Sequence, residues 1–218
     1  MSLNKEKLSI TALSAIFIFS LYCIFIYAPT EVTMGEVQRI FYFHVSSAIA
    51  CYCSFAIVFI SSIFFLNKES KKADYILESA GEVGFLFCTI VLVSGMIWGK
   101  AAWGTWFNWE PRLVTFLLLW LIFLAFVTLR AYGDEANKST HSAILGVIGA
   151  ITVPIMVFSI KLLPQIAQLH PEVIEKGGLA PEMGQTLAIT VIPVLGLQFL
   201  LLYKRYQLAQ IKDLIKRN

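Results

Sequence analysis

The sequence predicts an all-α, polytopic membrane protein with six transmembrane helices and both termini in the cytoplasm. Of its 218 residues, 58% are hydrophobic and only 14% are charged, and the mean hydropathy is +0.74. A soluble domain of this length carries about 25% charged residues. Because no polar stretch is long enough to enclose a core of its own, we predict a single six-helix membrane domain over residues 1–218.

Six apolar runs match the roughly 20 residues that a helix needs to cross a bilayer. They cover residues 8–28, 40–66, 80–98, 112–130, 141–160 and 185–203. The first run follows Lys5 and Lys7, as in a signal peptide, but no small-residue cleavage site comes after it. We therefore expect a retained first helix.

Local signals mark several helix ends. Pro111 suits the first turn of the fourth helix, where a missing N–H costs nothing. Ser139-Thr140 offers a cap for the fifth helix. Gly177-Gly178 and Pro181 keep the fifth and sixth helices from merging into one.

The four cysteines all fall inside apolar runs. They are Cys23, Cys51, Cys53 and Cys88. No CxxC motif is present, so neither covalent haem attachment nor a thiol redox pair is indicated. We expect these side chains to act as small hydrophobic residues.

Counting Lys and Arg residues gives the orientation. With the N-terminus inside, twelve of the 17 fall on the cytoplasmic side, and the five outer ones are Arg39, Lys100, Arg112, Lys161 and Lys176. The net charge of +3 is too small to indicate nucleic-acid binding.

Tryptophans crowd residues 98–112, WGKAAWGTWFNWEPR, a predicted outer loop between the third and fourth helices. Tryptophans that anchor a protein in lipid would be spread over several helix ends. Here Trp98, Trp103, Trp106 and Trp109 share one segment. We therefore predict an aromatic platform for a large flat ligand.

Two of the three histidines fall on the same outer side. His44 opens the second helix and His170 lies between the fifth and sixth helices, whereas His141 is on the inner side. Iron porphyrin has two axial positions for imidazole nitrogens and two apolar faces. This coincidence favours a haem site over a zinc site, because no Cys or carboxylate lies at ligand spacing near either outer histidine.

The outer side also carries positive charge that would suit the haem propionates. Lys100, Arg112 and Arg39 are cations on that side. Helices two, four and six begin there, and their N-terminal dipole ends favour carboxylates.

The segment Trp98–Arg112 resembles the tryptophan-rich "WWD" signature of the haem-handling membrane proteins of cytochrome c maturation. The resemblance is strongest to the haem exporter protein C (CcmC) family, and it runs in order along nearly the whole chain. The other matching stretches are Gly35–Val37, Phe41–Val45, Leu92–Gly99, Pro111–Leu113, Leu169–Pro171 and Gly177–Leu179.

The resemblance implies that His44 and His170 are axial ligands of the haem iron, and that the tryptophan segment is the haem platform. It implies transient, non-covalent binding of haem b. The candidate haem-binding residues are His44, His170, Trp98, Trp103, Trp106, Phe107, Trp109, Glu110, Arg112, Lys100 and Arg39.

The chain departs from the signature at two positions. Phe107 follows Trp106 where a second tryptophan is usual, which keeps the apolar face and loses the indole donor. Glu110 replaces the usual aspartate and keeps its charge on a longer arm. Upstream of the second histidine, Leu162-Leu163-Pro164 stands where tryptophans are common.

The implied activity is to hold haem at the outer face of the bacterial cytoplasmic (inner) membrane and to deliver it to the haem chaperone CcmE. Such a protein is a delivery factor and not an enzyme. The chain has no Walker motif, so an ATP-driven step would belong to the ABC transporter subunits CcmA and CcmB, with CcmD as a small adaptor. Glu82, near the inner end of the third helix, is interpreted as a first-turn acid or as a polar step on a haem entry path.

Three other classes remain as alternatives. A CcsA-type cytochrome c synthase usually follows its signature with Pro-Lys-Glu, whereas this chain has Pro111-Arg112-Leu113. A membrane cytochrome b of a quinone-linked oxidoreductase would suspend haem inside the bilayer between facing helices. A channel or transporter would need polar residues at the midplane of several helices.

Overall fold

The computed structural model describes residues 3–162 and 179–217, and six helices form most of this part of the chain. They are α1 (Leu3–Tyr22), α2 (Ile40–Lys68), α3 (Lys71–Trp103), α4 (Pro111–Tyr132), α5 (Lys138–Leu162) and α6 (Pro181–Arg217). A π-helical turn, Cys23–Tyr27, extends α1, and a 3-10 turn, Glu36–Arg39, precedes α2. No strand occurs among the described residues, and all six helices are long and apolar enough to span a membrane. The predicted all-α class with six helices able to span a membrane is confirmed.

Several helices are longer than their apolar runs. α3 begins at Lys71 and not at residue 80, and α6 continues to Arg217 and not to residue 203. The 37 residues of α6 extend about 55 Å, against a hydrocarbon core about 30 Å thick. The additional turns are polar, so a criterion based on hydropathy does not detect them.

α2 lies at the centre of the bundle. It packs against α3, α5 and α6, while α4 packs against α5 and α3, and α1 lies at the periphery against α6. In the core, the rings of Phe55 and Phe123 stack with centroids 3.8 Å apart. Gly81 lets α3 approach α4 closely, because a Cβ there would lie 2.1 Å from Phe126 Cε1. Small residues at such contacts permit helices to associate in lipid.

The cysteines lie among the packed helices as free thiols. Cys23, Cys51 and Cys88 are buried, and Cys53 is half-buried. The burial of Cys23, Cys51 and Cys88 confirms the prediction of small interior residues for these three side chains.

Charged residues gather at the end of the bundle where the described chain begins and finishes, which we call the termini end. Glu6 of α1 forms an ion pair with Lys204 of α6, so both ends of the described chain lie on the same side. Lys71 pairs with Asp213 at 3.4 Å. Ion pairs of this kind belong outside the hydrocarbon region, where charges are costly.

Two predictions about the termini end are wrong. Ser139 does not cap α5, because the helix begins at Lys138, whose N–H donates to the Asp134 carbonyl at 2.9 Å. The Ser139 hydroxyl instead donates to Asp74 at 3.1 Å. Glu82 is not a first-turn acid, because α3 starts about three turns earlier and places its carboxylate against Arg205 of α6.

We expect Asp74→Ala to lower the free energy of unfolding by about 3 kcal/mol, because it leaves the Arg130 guanidinium buried without its carboxylate. The two side chains are 2.5 Å apart, and that of Arg130 is only 3% exposed. Denaturant titration of the detergent-solubilised protein measures the loss. The matched control is Lys71→Ala, which removes an exposed pair and should cost less than about 1 kcal/mol. Equal losses in the two variants would contradict the prediction.

We expect Gly81→Ala to destabilise the protein by about 1–3 kcal/mol, since the added methyl group overlaps the Phe126 ring. Gly184→Ala is the control. A Cβ at Gly184 meets nothing within 4 Å, so helix propensity should make that variant neutral or more stable by up to about 1 kcal/mol. The same titration measures both variants, and a stabilised Gly81→Ala would show that α3 and α4 are not in close contact there.

Candidate functional site

The end of the bundle opposite the termini end holds a second, smaller hydrophobic cluster. We call this region the tryptophan end, formed by residues 24–45, 94–112 and 179–187. Its buried members are Ile24, Ala28, Phe41, Tyr42, Trp98 and Met183. The Tyr27 hydroxyl donates to Gln185 Oε1 at 2.6 Å and links the end of α1 to the start of α6.

His44 lies near the start of α2, in a slot against α3. The residue is 9% exposed, and its Nδ1 lies 3.0 Å from Ser94 Oγ. The ring meets Trp98 edge to face, with centroids 5.7 Å apart and planes at 68°. Gly95 permits this approach, because a Cβ there would lie 3.1 Å from His44 Cε1. With Nδ1 engaged by Ser94, Nε2 is the ring nitrogen that remains for an iron.

The helix α3 continues through Trp98 and Trp103, so the expected loop over residues 98–112 is corrected to residues 104–110. Gly104 ends the helix with φ 78° and donates its N–H to the Lys100 carbonyl at 3.1 Å. Glycine adopts this left-handed C-terminal conformation at little cost. Two of the four tryptophans are therefore carried by a helix and two by the connection that follows it.

Of the helical pair of tryptophans Trp98 is buried and Trp103 is half-buried, whereas the loop pair is exposed. Trp98 is 4% exposed, and its ring centroid lies 6.0 Å from that of Trp103 at an interplanar angle of 33°. Trp106 and Trp109 are 55% and 80% exposed. Phe107 packs edge to face against Trp109 at 5.2 Å. Large exposed rings beside a buried aromatic cluster mark a binding surface or a membrane boundary.

The connection between α3 and α4 packs back on the end of α3. The carbonyl oxygen of Thr105 would lie 3.1 Å from a Cβ at Gly99, so this glycine gives the connection room. The Thr105 hydroxyl donates to the Phe107 carbonyl at 3.2 Å. Glu110 is buried and directly precedes Pro111, which begins α4 as predicted.

The three candidate cations differ in their present partners. The Arg39 guanidinium contacts the Glu36 carboxylate and the Ile24 carbonyl. Lys100 Nζ donates to the Gly104 carbonyl at 2.9 Å. Arg112 lies in the first turn of α4, and no carboxylate of the described residues forms an ion pair with it. Arg112 is thus the cation best placed to receive an anion.

The structure separates the two histidines that it describes. His141 is exposed near the start of α5, at the termini end, far along the bundle from His44. His170 lies in residues 163–178, outside the described part of the chain. Its relation to His44 stays a prediction. Within residues 3–162 and 179–217, no three His, Cys, Asp or Glu side chains gather as ligands for a metal ion.

The structure also shows contacts and unpaired polar groups near His44 that the sequence analysis did not predict. Ser94 contacts His44 directly, although the two are 50 residues apart. Trp98 Nε1 and Ser46 Oγ are buried and, among the described residues, have no hydrogen-bond partner. An unpaired buried group costs about 1–3 kcal/mol, so the indole N–H of Trp98, whose ring packs against His44, fits a site that a polar ligand group completes. No local sequence pattern predicts that these polar groups are buried, because their burial depends on how α2 packs against α3.

Comparison with known proteins gives a consistent result. The sequence model of a family described as CcmC, heme exporter protein C, matches residues 2–217. Heme exporter protein C of Bradyrhizobium diazoefficiens is 29% identical over 192 residues, which cover 88% of this chain and 72% of that protein. The protein of that name from Haemophilus influenzae is 30% identical over 195 residues, covering 88% and 78%. The one from Escherichia coli K12 is 31% identical over 136 residues, covering 62% and 56%. This chain belongs to the heme exporter protein C family.

Proposed function

We propose that this chain handles haem in cytochrome c biogenesis, holding it at the outer face of the bacterial inner membrane and delivering it to the chaperone CcmE. One observation carries the proposal. A buried imidazole, His44, lies against the sheltered indole of Trp98 at the same end of the bundle as the exposed rings of Trp106 and Trp109. Family membership supports the same conclusion.

The residues present suit the chemistry of haem. His44 Nε2 would serve as one axial ligand, and His170 as the other. The apolar porphyrin face would lie on Trp103, Trp106 and Trp109, since flat aromatic rings gain most from stacked contact. Haem supplies the iron and the anionic propionates, and the protein supplies ligands, contact area and countercharge.

Arg112 is the preferred partner for a propionate because its guanidinium has no carboxylate partner among the described residues and can bind a carboxylate with two hydrogen bonds. Lys100 and Arg39 would have to leave their present carbonyl partners to take part. Phe107 and Glu110 keep an apolar face and a charge, respectively, where the family signature has Trp and Asp.

The tryptophan end is proposed to face outward. Twelve of the 17 Lys and Arg residues fall toward the termini end, and the positive-inside rule assigns that end to the cytoplasm. A haem held at the tryptophan end would then meet partners on the outer side, with its release controlled by contacts outside the bilayer.

We propose that the chain acts without catalysing a reaction of its own and binds haem b transiently and non-covalently. The sequence has no Walker motif. Any step driven by ATP would therefore belong to partner subunits, which we propose to be CcmA and CcmB with the small adaptor CcmD.

We expect the purified protein to show a low-spin haem spectrum that His44→Ala and His170→Ala each diminish, because loss of one imidazole removes one of two axial ligands. His141→Ala is the matched control, since His141 lies at the termini end. Absorption spectra of protein from haem-replete cells measure the effect. Unchanged spectra in both His44→Ala and His170→Ala would remove these residues as ligands.

We expect the double variant Trp103→Ala/Trp109→Ala to reduce covalent haem on co-expressed CcmE about tenfold or more, because it removes two large aromatic contacts. Haem staining of the chaperone measures the transfer, with blotting to show equal amounts of this chain. Trp120→Phe is the control, since its Nε1 donates to Thr89 within the bundle at 2.9 Å. Unaltered labelling in the double variant would refute the platform.

The purified protein and the co-expression cells also distinguish haem delivery from the cytochrome b and synthase alternatives. A cytochrome b would show reduction of its haem by quinol. A synthase of the CcsA type would yield mature cytochrome c in cells that lack the chaperone. Either result would replace the delivery function proposed for this chain.

A further inference from the structure

The hydrogen bond between Ser94 and His44 has a direction that the surrounding atoms determine. We propose that Ser94 is the positioning residue of His44: it holds the neutral imidazole in the tautomer with hydrogen on Nδ1, so that the Nε2 lone pair is free for the haem iron. This inference rests on the proposed haem-binding function, and it concerns a residue for which neither the sequence motifs nor the family resemblance provided a role.

The serine hydroxyl hydrogen is already committed to the backbone of α3. Ser94 Oγ lies 2.6 Å from the Ile90 carbonyl oxygen and 3.3 Å from that of Val91. A carbonyl oxygen only accepts hydrogen bonds, so the single hydroxyl hydrogen must point to the backbone. The oxygen is left with lone pairs, and these face His44.

The imidazole must therefore be the donor in its bond to Ser94. His44 Nδ1 lies 3.0 Å from Ser94 Oγ, a normal hydrogen-bond distance. A neutral imidazole has one N–H, and placing it on Nδ1 leaves Nε2 unprotonated. Metal-binding histidines commonly have their other ring nitrogen donating to a nearby oxygen, which sets both tautomer and ring orientation.

Neighbouring groups prevent the ring from finding another partner for Nδ1. His44 as a whole residue is 9% exposed, which limits access of water to its ring. Gly95 lies directly against it, and a Cβ there would be 3.7 Å from Nδ1. Trp98 closes another side with its ring edge to face at 5.7 Å. The serine oxygen is the one acceptor that the described residues supply to Nδ1.

The proposal is tested by measuring the tautomer of His44 in the haem-free protein. Nitrogen-15 NMR of histidine distinguishes protonated from unprotonated ring nitrogens. With His141 and His170 replaced by Gln, His44 is the only histidine left of the three. We expect Nδ1–H in this background, a shift toward Nε2–H in Ser94→Ala, and retention of Nδ1–H in Ser94→Thr, which restores the hydroxyl.

Ser79→Ala is the matched control. Ser79 is buried in the same helix, and its hydroxyl makes the same kind of bond to the carbonyl four residues earlier, at 2.7 Å from Tyr75 O. Its removal should leave the His44 tautomer unchanged. Nε2–H in the parent protein, or Nδ1–H that persists in Ser94→Ala, would overturn the proposal.

Haem titration of the protein with all three histidines gives a second readout. We expect Ser94→Ala to raise the apparent Kd for haem about 10- to 100-fold, while Ser94→Thr and Ser79→Ala stay close to the parent. His44→Ala tests the proposed function separately. If His44→Ala binds haem as the parent does, the proposed function fails. If His44→Ala loses haem while Ser94→Ala keeps both tautomer and affinity, only the positioning role fails.

Discussion

The close packing of α2 against α3 is the constraint on which the candidate site depends. Lipid gives no hydrophobic drive for two apolar helices to associate, so they are held by van der Waals contact and by polar bonds between them. Glycine makes this approach possible at two levels. A Cβ at Gly84 would lie 2.9 Å from the Phe55 ring, and one at Gly95 would lie 3.1 Å from the His44 ring. The same contact that assembles the core thus holds the imidazole in place.

Hydropathy predicts the number and type of the elements. A membrane span needs about 20 apolar residues, and its backbone N–H and C=O groups must all be paired, which a helix achieves within one segment. A separate signal, the preference of proline for the first helical position, predicts the start of α4 at Pro111. Hydropathy does not locate the helix ends that extend beyond the bilayer. The early turns of α3 and the late turns of α6 are polar, and ion pairs such as Lys71–Asp213 join them. Such pairs link distant segments and leave no local period in the sequence.

The candidate site likewise contains residues that the sequence identifies and residues that it does not. The tryptophan segment and His44 stand out in the sequence because their residue types are scarce and their spacing is distinctive. Ser94 does not, since serine is common in membrane helices and its importance comes from a contact 50 residues away. The contact of the Arg39 guanidinium with the Ile24 carbonyl, 15 residues away, leaves no local signal in the sequence either. His170 lies outside the described residues, so its pairing with His44 remains a prediction.

For the haem delivery proposed above, the division of the four tryptophans between a helix and a short connection has one consequence. Trp98 and Trp103 are anchored on α3, whereas Trp106 and Trp109 project from the segment that follows Gly104. A flat molecule resting on both halves presents one edge to the interior and the other to the surroundings. An acceptor that competes for the outer edge would replace the contacts with Trp106 and Trp109 without disturbing any helix. Under the proposed function, the acceptor would displace haem one edge at a time.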